Sequence, residues 1–336
     1  EIYTLSLHDA LPIWFSCILL YKSPDGLSWR LEGSATNLGR QPFGYMWECP
    51  NLATLGGREF LFVCPQGVSK RPTSLQNIHN SGYVALDGRL IDLMAKDPGL
   101  MDADGPYPCI DEAGFVELDF GFDFYAPQVF EDERGRTILV GWASLPDIET
   151  QYDNPTREWT HTLTLPRELS LNEGGRVCQW PVAEIDALRG ELVEFTGDVA
   201  GLTGTVGSSS YDVFDLTGAV GAHFAGTADI CVTQIESGDA VLRLNDDLEL
   251  SIIGNLCELA FTSPAGAYRS VRRLPLSALT AGRIRDLRVI VDTSIVEIYV
   301  NGGEVTMTTR WYPESVDELR VSSLNQIGRA SCRERV

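Results

Sequence analysis

The chain has 336 residues, with 26 Lys and Arg against 47 Asp and Glu, for a net charge of −21 at pH 7. So acidic a surface repels nucleic acid and anionic lipid, which excludes both as partners, and it is compatible with a neutral small molecule. The longest apolar runs fall well short of a membrane span.

The 8 cysteines are scattered, with no Cys-x-x-Cys pair and no His at ligand spacing, so neither a disulfide framework nor a zinc site is expected. No metal and no cofactor are implied. Reduced thiols point to a cytoplasmic protein.

Both ends read differently from the middle. Residues 1–13 (EIYTLSLHDALPI) have no helical or strand period, and no basic residue precedes their apolar part as in a signal peptide. They match the translation of a sequencing adapter. Residues 327–336 (IGRASCRERV) match the adapter's reverse complement, whose next codon is a stop. Discarding both removes Arg329, Arg333 and Arg335 with Glu1, Asp9 and Glu334, so the net charge is unaffected. The natural stretch is read as residues 14–326, a length that suits two domains. Neither end is expected to pack with the core.

From Phe15 to about Arg176, short β runs alternate with turn residues. Cys17 to Tyr21 is a strand, turned by Ser23-Pro24-Asp25-Gly26. Phe60 to Cys64 is a second, bounded by Gly57 and Pro65. Ser81 to Leu86 is a third, followed by the turn signal Asp87-Gly88. Gln128 to Phe130, the turn Arg134-Gly135-Arg136, and Thr137 to Trp142 form a hairpin. Many short strands without intervening helices mean a sandwich, barrel or propeller. The pattern breaks at Pro181 to Gly190, where Val182, Ile185 and Leu188 lie three apart, as on one face of a short helix. Pro181 suits its first turn and Gly190 its end. Strands then return. In Val296 to Val300, the residues Val296, Ile298 and Val300 point one way and Glu297 and Tyr299 the other. Asn301-Gly302-Gly303 supplies the positive φ of a tight hairpin, and Val305 to Arg310 is the return strand.

The chemistry centres on Trp47-Glu48-Cys49-Pro50. A carboxyl flanked by a large aromatic and a thiol sits in an apolar setting that disfavours its charged form, which suits a group that gives a proton to a leaving oxygen. Trp47-Glu48-Cys49-Pro50-Asn51-Leu52 resembles the acid/base signature of glycoside hydrolase family 32, the β-fructofuranosidases. The flanks agree in order: Leu19-Leu20-Tyr21-Lys22-Ser23-Pro24-Asp25 with Trp29, Pro65-Gln66-Gly67, Gln76-Asn77, Ser81-Gly82-Tyr83, Asp123 to Gln128, Gly141-Trp142, and Leu165 to Leu169. The run from Val291 to Pro313 resembles the family's sandwich domain. The likeness covers about residues 15–323 and is strongest toward the bacterial sucrose and sucrose-6-phosphate hydrolases. Asn51 stands where the family usually has Asp, a departure expected to matter little.

The resemblance implies an all-β chain: an incomplete five-bladed β-propeller over residues 14–180, a connector helix at 181–190, and a C-terminal β-sandwich at 191–326. It gives Glu48 the role of acid/base in hydrolysis with retention. The family's nucleophile Asp lies in a Trp-Met-Asn-Asp-Pro-Asn-Gly type motif and a second Asp in Arg-Asp-Pro. Neither motif occurs in this chain, and both belong before Leu19. Asp123 is a candidate acceptor for sugar hydroxyls, against a turn or cap role. Tyr125 and Trp142 are candidates to stack on a sugar ring, against a place in the core. Cys49 is placed in the same pocket, packed behind Glu48 and tuning its surroundings. His79 and His161 have no partner pattern and read as core or surface. The partner expected is a small carbohydrate, namely sucrose, its 6-phosphate or a fructo-oligosaccharide, with homo-oligomer contacts left to the sandwich. A non-catalytic sugar-binding propeller, or a propeller glycosidase acting on fructans or arabinans, remains open.

Overall fold

A computed structural model describes residues 2–7, 17–36, 43–93, 112–147, 158–196, 214–216, 219–224, 227–233, 235, 240–313, 319–324 and 329–335. The first half builds three antiparallel sheets. β1 (Ile2–Leu7), β2 (Cys17–Ser23) and β3 (Arg30–Thr36) form one. β4 (Met46–Leu55), β5 (Arg58–Gln66), β6 (Gly82–Ala85) and β7 (Phe115–Glu117) form the next. The third holds β8 (Tyr125–Glu131), β9 (Thr137–Trp142), β10 (Arg167–Leu171) and β11 (Val177–Pro181). In each, strand order follows the sequence, the up-and-down pattern of a propeller blade. Apolar residues pack between the sheets: Phe60, Phe62 and Tyr83 meet Phe124, Leu139 and Leu169 in one cluster. The propeller is incomplete, and a sandwich follows it.

The chain leaves the last blade through a 3-10 helix, Ala183–Leu188, which is shorter than the connector read from the sequence. Pro181 closes β11 and Arg189 already opens the next strand. The spacing of three between Val182, Ile185 and Leu188 is the period of a 3-10 helix rather than of an α-helix.

Two sheets form the sandwich. β12 (Arg189–Thr196), β13 (Phe214–Leu216), β14 (Ala219–Phe224) and β15 (Ala228–Thr233) come first along the chain. β16 (Ala240–Leu244), β17 (Leu248–Ile253), β18 (Leu256–Phe261) and β19 (Val271–Pro275) follow. The last are β20 (Leu287–Asp292), β21 (Ile295–Val300), β22 (Val305–Arg310), β23 (Leu319–Leu324) and β24 (Arg329–Arg335). One sheet has the order β12-β24-β15-β20-β21-β22 and the other β13-β14-β23-β16-β17-β18-β19. Their inner faces bury Ile230, Leu242, Leu250, Leu259, Val289 and Ile298. Asn301, Gly302 and Gly303, with φ of 49°, 67° and 84°, turn β21 into β22.

Both terminal segments take part in sheets. β1 pairs with β2, and β24 lies between β12 and β15. Strand pairing uses backbone N–H and C=O groups, which any extended segment without proline can supply to neighbouring strands.

Residues 118–123 run beside β22, with Phe120 N–H donating to Thr306 O at 2.8 Å and Asp123 N–H to Thr308 O at 3.0 Å. Arg167 crosses from β10 into the sandwich fully buried, and its Nη2 reaches Glu297 Oε2 at 2.6 Å and Thr308 Oγ1 at 2.7 Å. Glu297 and Tyr299 therefore do not face solvent, as strand alternation alone would allow. They are 1% and 0% exposed, because their face of the sheet meets the propeller.

Candidate active site

Glu48 lies on β4, the first strand of its blade, and is half-buried. Beside it, Trp47 is fully buried and donates its indole N–H to Phe43 O at 2.7 Å. Gly44 lets the chain enter this strand against the next one: its φ is +76°, and a Cβ there would sit 2.3 Å from Gln66 O. The strand is then broken by a bulge between Glu48 and Asn51, where Cys49 takes a φ of 49°. An extra residue in one strand reverses which face the following side chains use. It puts Glu48 and Asn51, three apart, on one face, with Glu48 opposite Cys64 and Asn51 opposite Phe62.

Two side chains hold the Glu48 carboxyl. Gln66 Nε2 donates to Oε2 at 2.6 Å, and the Tyr125 hydroxyl donates to the same oxygen at 2.9 Å. Burial pushes the Tyr125 phenol above its ordinary value, so it stays a donor over the whole working pH range. Gln66 in turn accepts from the Tyr45 hydroxyl at 3.0 Å, which fixes its amide orientation. Tyr125 opens β8 and has Trp142 as its cross-strand partner. Trp142 is half-buried and donates its indole N–H to His161 Nδ1 at 3.2 Å. Burial first, then the Arg310 charge, hold the His161 imidazole below its usual value, which keeps that nitrogen an acceptor. Cys49 packs with Tyr125, Cys64 and Leu145. Its thiol pKa is lowered by a hydrogen bond with Cys64. The Cys64 thiol is raised by burial and lies 3.3 Å from Ser81 Oγ.

The structure thus joins Glu48, Tyr125, Trp142 and Cys49 in one neighbourhood. Asp123 is a correction. It is 1% exposed, and its carboxylate is taken up by Arg310 Nε and Nη2 at 3.2 and 3.1 Å and by Arg269 Nη1 at 2.7 Å. The Arg310 backbone N–H adds a fourth bond at 2.9 Å. A buried carboxylate engaged this way anchors the sandwich to the propeller. Gln66 was missed as a site residue, though it stood in the quoted Pro65-Gln66-Gly67. The plain hairpin register set by Leu55 opposite Arg58 would put Gln66 on the face away from Glu48, and only the bulge brings them together. His79 also belongs here: its ring centroid is 6.1 Å from that of Tyr125 and its Nε2 is 3.2 Å from Asp147 Oδ2. Among the described residues, no cluster of His, Cys, Asp and Glu is arranged to hold a metal, and no helix is long and apolar enough to cross a membrane.

A half-buried carboxyl gripped by a phenol and an amide thus stands on the opening strand of a propeller blade, with a sandwich following the propeller. The chain matches the glycosyl hydrolases family 32 N-terminal domain over residues 15–181 and the family 32 C-terminal domain over residues 259–331. It belongs to glycosyl hydrolase family 32. It is 33% identical over 303 residues to the sucrose-6-phosphate hydrolase of Staphylococcus xylosus, covering 88% of this chain and 55% of that protein. The raffinose invertase of Escherichia coli is 31% identical over 310 residues, covering 89% of this chain and 56% of the relative. The chain spans about half the length of the curated relatives it matches. Among solved structures, a Bombyx mori family 32 β-fructofuranosidase superposes with a TM-score of 0.71 at 24% identity, covering 99% of this chain and 63% of that one. The sucrose-6-phosphate hydrolase of Lactobacillus gasseri gives 0.70 at 21%, covering 99% and 66%. These two likenesses, at low identity, speak to the fold.

Proposed function

We propose that the protein to which this chain belongs hydrolyses a β-fructofuranoside bond, in sucrose or sucrose-6-phosphate, with retention and with Glu48 as the acid/base. The observation that carries this is the Glu48 carboxyl, half-buried at the bulge and held by Tyr125 and Gln66. Retaining hydrolysis pairs such a group with a carboxylate nucleophile about 5–5.5 Å away, forms a covalent glycosyl-enzyme, and returns the proton through the same acid/base. In this reading Trp142 flanks the sugar. The nucleophile is the aspartate of the family motif that does not occur in residues 1–336, and a longer chain supplies it.

The test is sugar release from sucrose and from sucrose-6-phosphate by the longer protein. Glu48→Gln is expected to lower the rate by about 10²–10⁴, the worth of general acid–base help. An unchanged rate on a substrate with a poor leaving group refutes the role. Sucrose binding without release in the native longer protein would favour the non-catalytic alternative.

A further inference from the structure

We propose that Asn51 is a positioning residue for the acid/base: its carboxamide locks together the two bulges that carry Glu48 and Tyr125. The proposal rests on the acid/base reading of Glu48 given above.

The two strands share an unusual local design. In β4, Glu48 is followed by Cys49, with φ 49°, and then by Pro50. In β8, Tyr125 is followed by Ala126, with φ 48°, and then by Pro127. Each strand shifts register there, between Glu48 and Asn51 in one and between Tyr125 and Gln128 in the other. A bulge takes backbone groups out of the ladder, and buried carbonyls left without partners are costly. The strands also belong to different sheets. Ladder hydrogen bonds fix neighbours within a sheet and do nothing across the gap between two of them.

Asn51 fills that gap. Its Nδ2 donates to Cys49 O at 2.8 Å and to Pro127 O at 3.0 Å, and its Oδ1 accepts from Val129 N–H at 3.1 Å. One planar group therefore serves a carbonyl from each bulge and a backbone N–H just past the second, that of Val129. The amide orientation is fixed by these partners, since two carbonyls demand donors and an N–H demands an acceptor. The hydrogen bond from Tyr125 to Glu48 spans the same gap. The distance between the two residues thus depends on how the bulges are held. An aspartate in this place would turn a second oxygen toward two carbonyl oxygens with nothing to donate. The Asn expected from sequence to be a neutral departure performs a task that a carboxylate at neutral pH does not. A displacement of the acid by about 1 Å is enough to cost on the order of 10²-fold in rate.

The test uses the full 336-residue chain labelled with 3-fluorotyrosine. The Tyr125 fluorine resonance is assigned by its loss in Tyr125→Phe, and Glu48→Ala gives the shift that follows from losing the hydroxyl's acceptor. Asn51→Ala and Asn51→Asp are expected to move the resonance at least half that distance, and to speed Val129 amide exchange by at least about tenfold. Asn51→Ser keeps one donor and one acceptor on a shorter arm; it is expected to fall between and serves if the other variants do not fold. Faster Val129 exchange with an unmoved Tyr125 resonance would show a merely structural clamp and overturn the proposal, as would no change in either. Sucrose release by the longer protein is a separate measurement. Its failure in the native sequence refutes the enzymatic reading, while the fluorine shifts still report whether Asn51 sets the Tyr125–Glu48 contact.

Discussion

Arg167→Met is the sharpest probe of what joins the two domains. The Arg167 side chain is 0% exposed and faces Glu297 at 2.6 Å and Asp119 at 3.5 Å, themselves 2% and 1% exposed. Gln179 Oε1 at 2.9 Å and the hydroxyls of Thr306 and Thr308 complete its donors' partners. The guanidinium also lies 5.1 Å from the Phe124 ring centroid and 5.3 Å from that of Tyr299. Removing it leaves Glu297, among the described residues, with the Leu165 N–H and the Tyr299 hydroxyl, both at 2.7 Å, and no countercharge. Breaking a buried pair from one side costs about 3–5 kcal/mol. At about 2–4 °C per kcal/mol for domains of 150–250 residues, the midpoint falls by roughly 6–20 °C. Differential scanning calorimetry at pH 7 measures it directly. Removing both charges in Arg167→Met/Glu297→Leu relieves the orphaned carboxylate and is expected to be less destabilising than Arg167→Met alone, a non-additivity that contact between the two predicts. A loss under about 1 kcal/mol for the single variant, or a double variant worse than the sum of the singles, refutes the assignment of this network as the domain anchor.

Asp123→Asn strips the countercharge from Arg310, 0% exposed, and Arg269, 9% exposed. It is expected to cost about 3–5 kcal/mol in urea unfolding; a native midpoint combined with weaker sugar binding would restore Asp123 to the pocket. Burial pushes the Glu117 carboxyl up to about 7. Its folded value lies above its unfolded one, so the stability it contributes is fully present below about pH 4.5 and is lost as pH rises through about 7. A shift of that size corresponds to about 3 kcal/mol. Glu117→Gln should flatten the stability profile over this window, with the variant gaining on the native chain at pH 8; an unaltered slope counts against it. Residues 1–336 expressed alone are expected to release no detectable glucose or fructose from sucrose, because general acid help by itself reaches only about 10²–10⁴. Release at the rate of an intact family member would place the nucleophile among the carboxylates present.

What the sequence determined by itself is the part governed by local backbone chemistry and by motif. Asn301-Gly302-Gly303 demands positive φ wherever it occurs, so the hairpin of β21 and β22 was legible, as was that of β8 and β9 around Gly135. Short strands with turn residues pointed to the all-β class, and Trp47-Glu48-Cys49-Pro50 marked Glu48 as the candidate acid/base. Tertiary structure decided what depends on strand register and on residues far apart in the chain. The bulge after Glu48 changes the parity of β4, so alternation counted along the sequence assigns Gln66 to the wrong face. Asp123 resembled a pocket residue because nothing near it in sequence announces Arg310, which binds it from 187 positions away. Alternation puts Glu297 and Tyr299 on the opposite face from Val296, Ile298 and Val300, and that face is buried too, because the propeller docks there and Arg167 arrives from another domain. Turn geometry is set by a few neighbouring dihedrals. The partner of a charge or the covering of a face is set by packing, and the sequence carries that only through the fold as a whole.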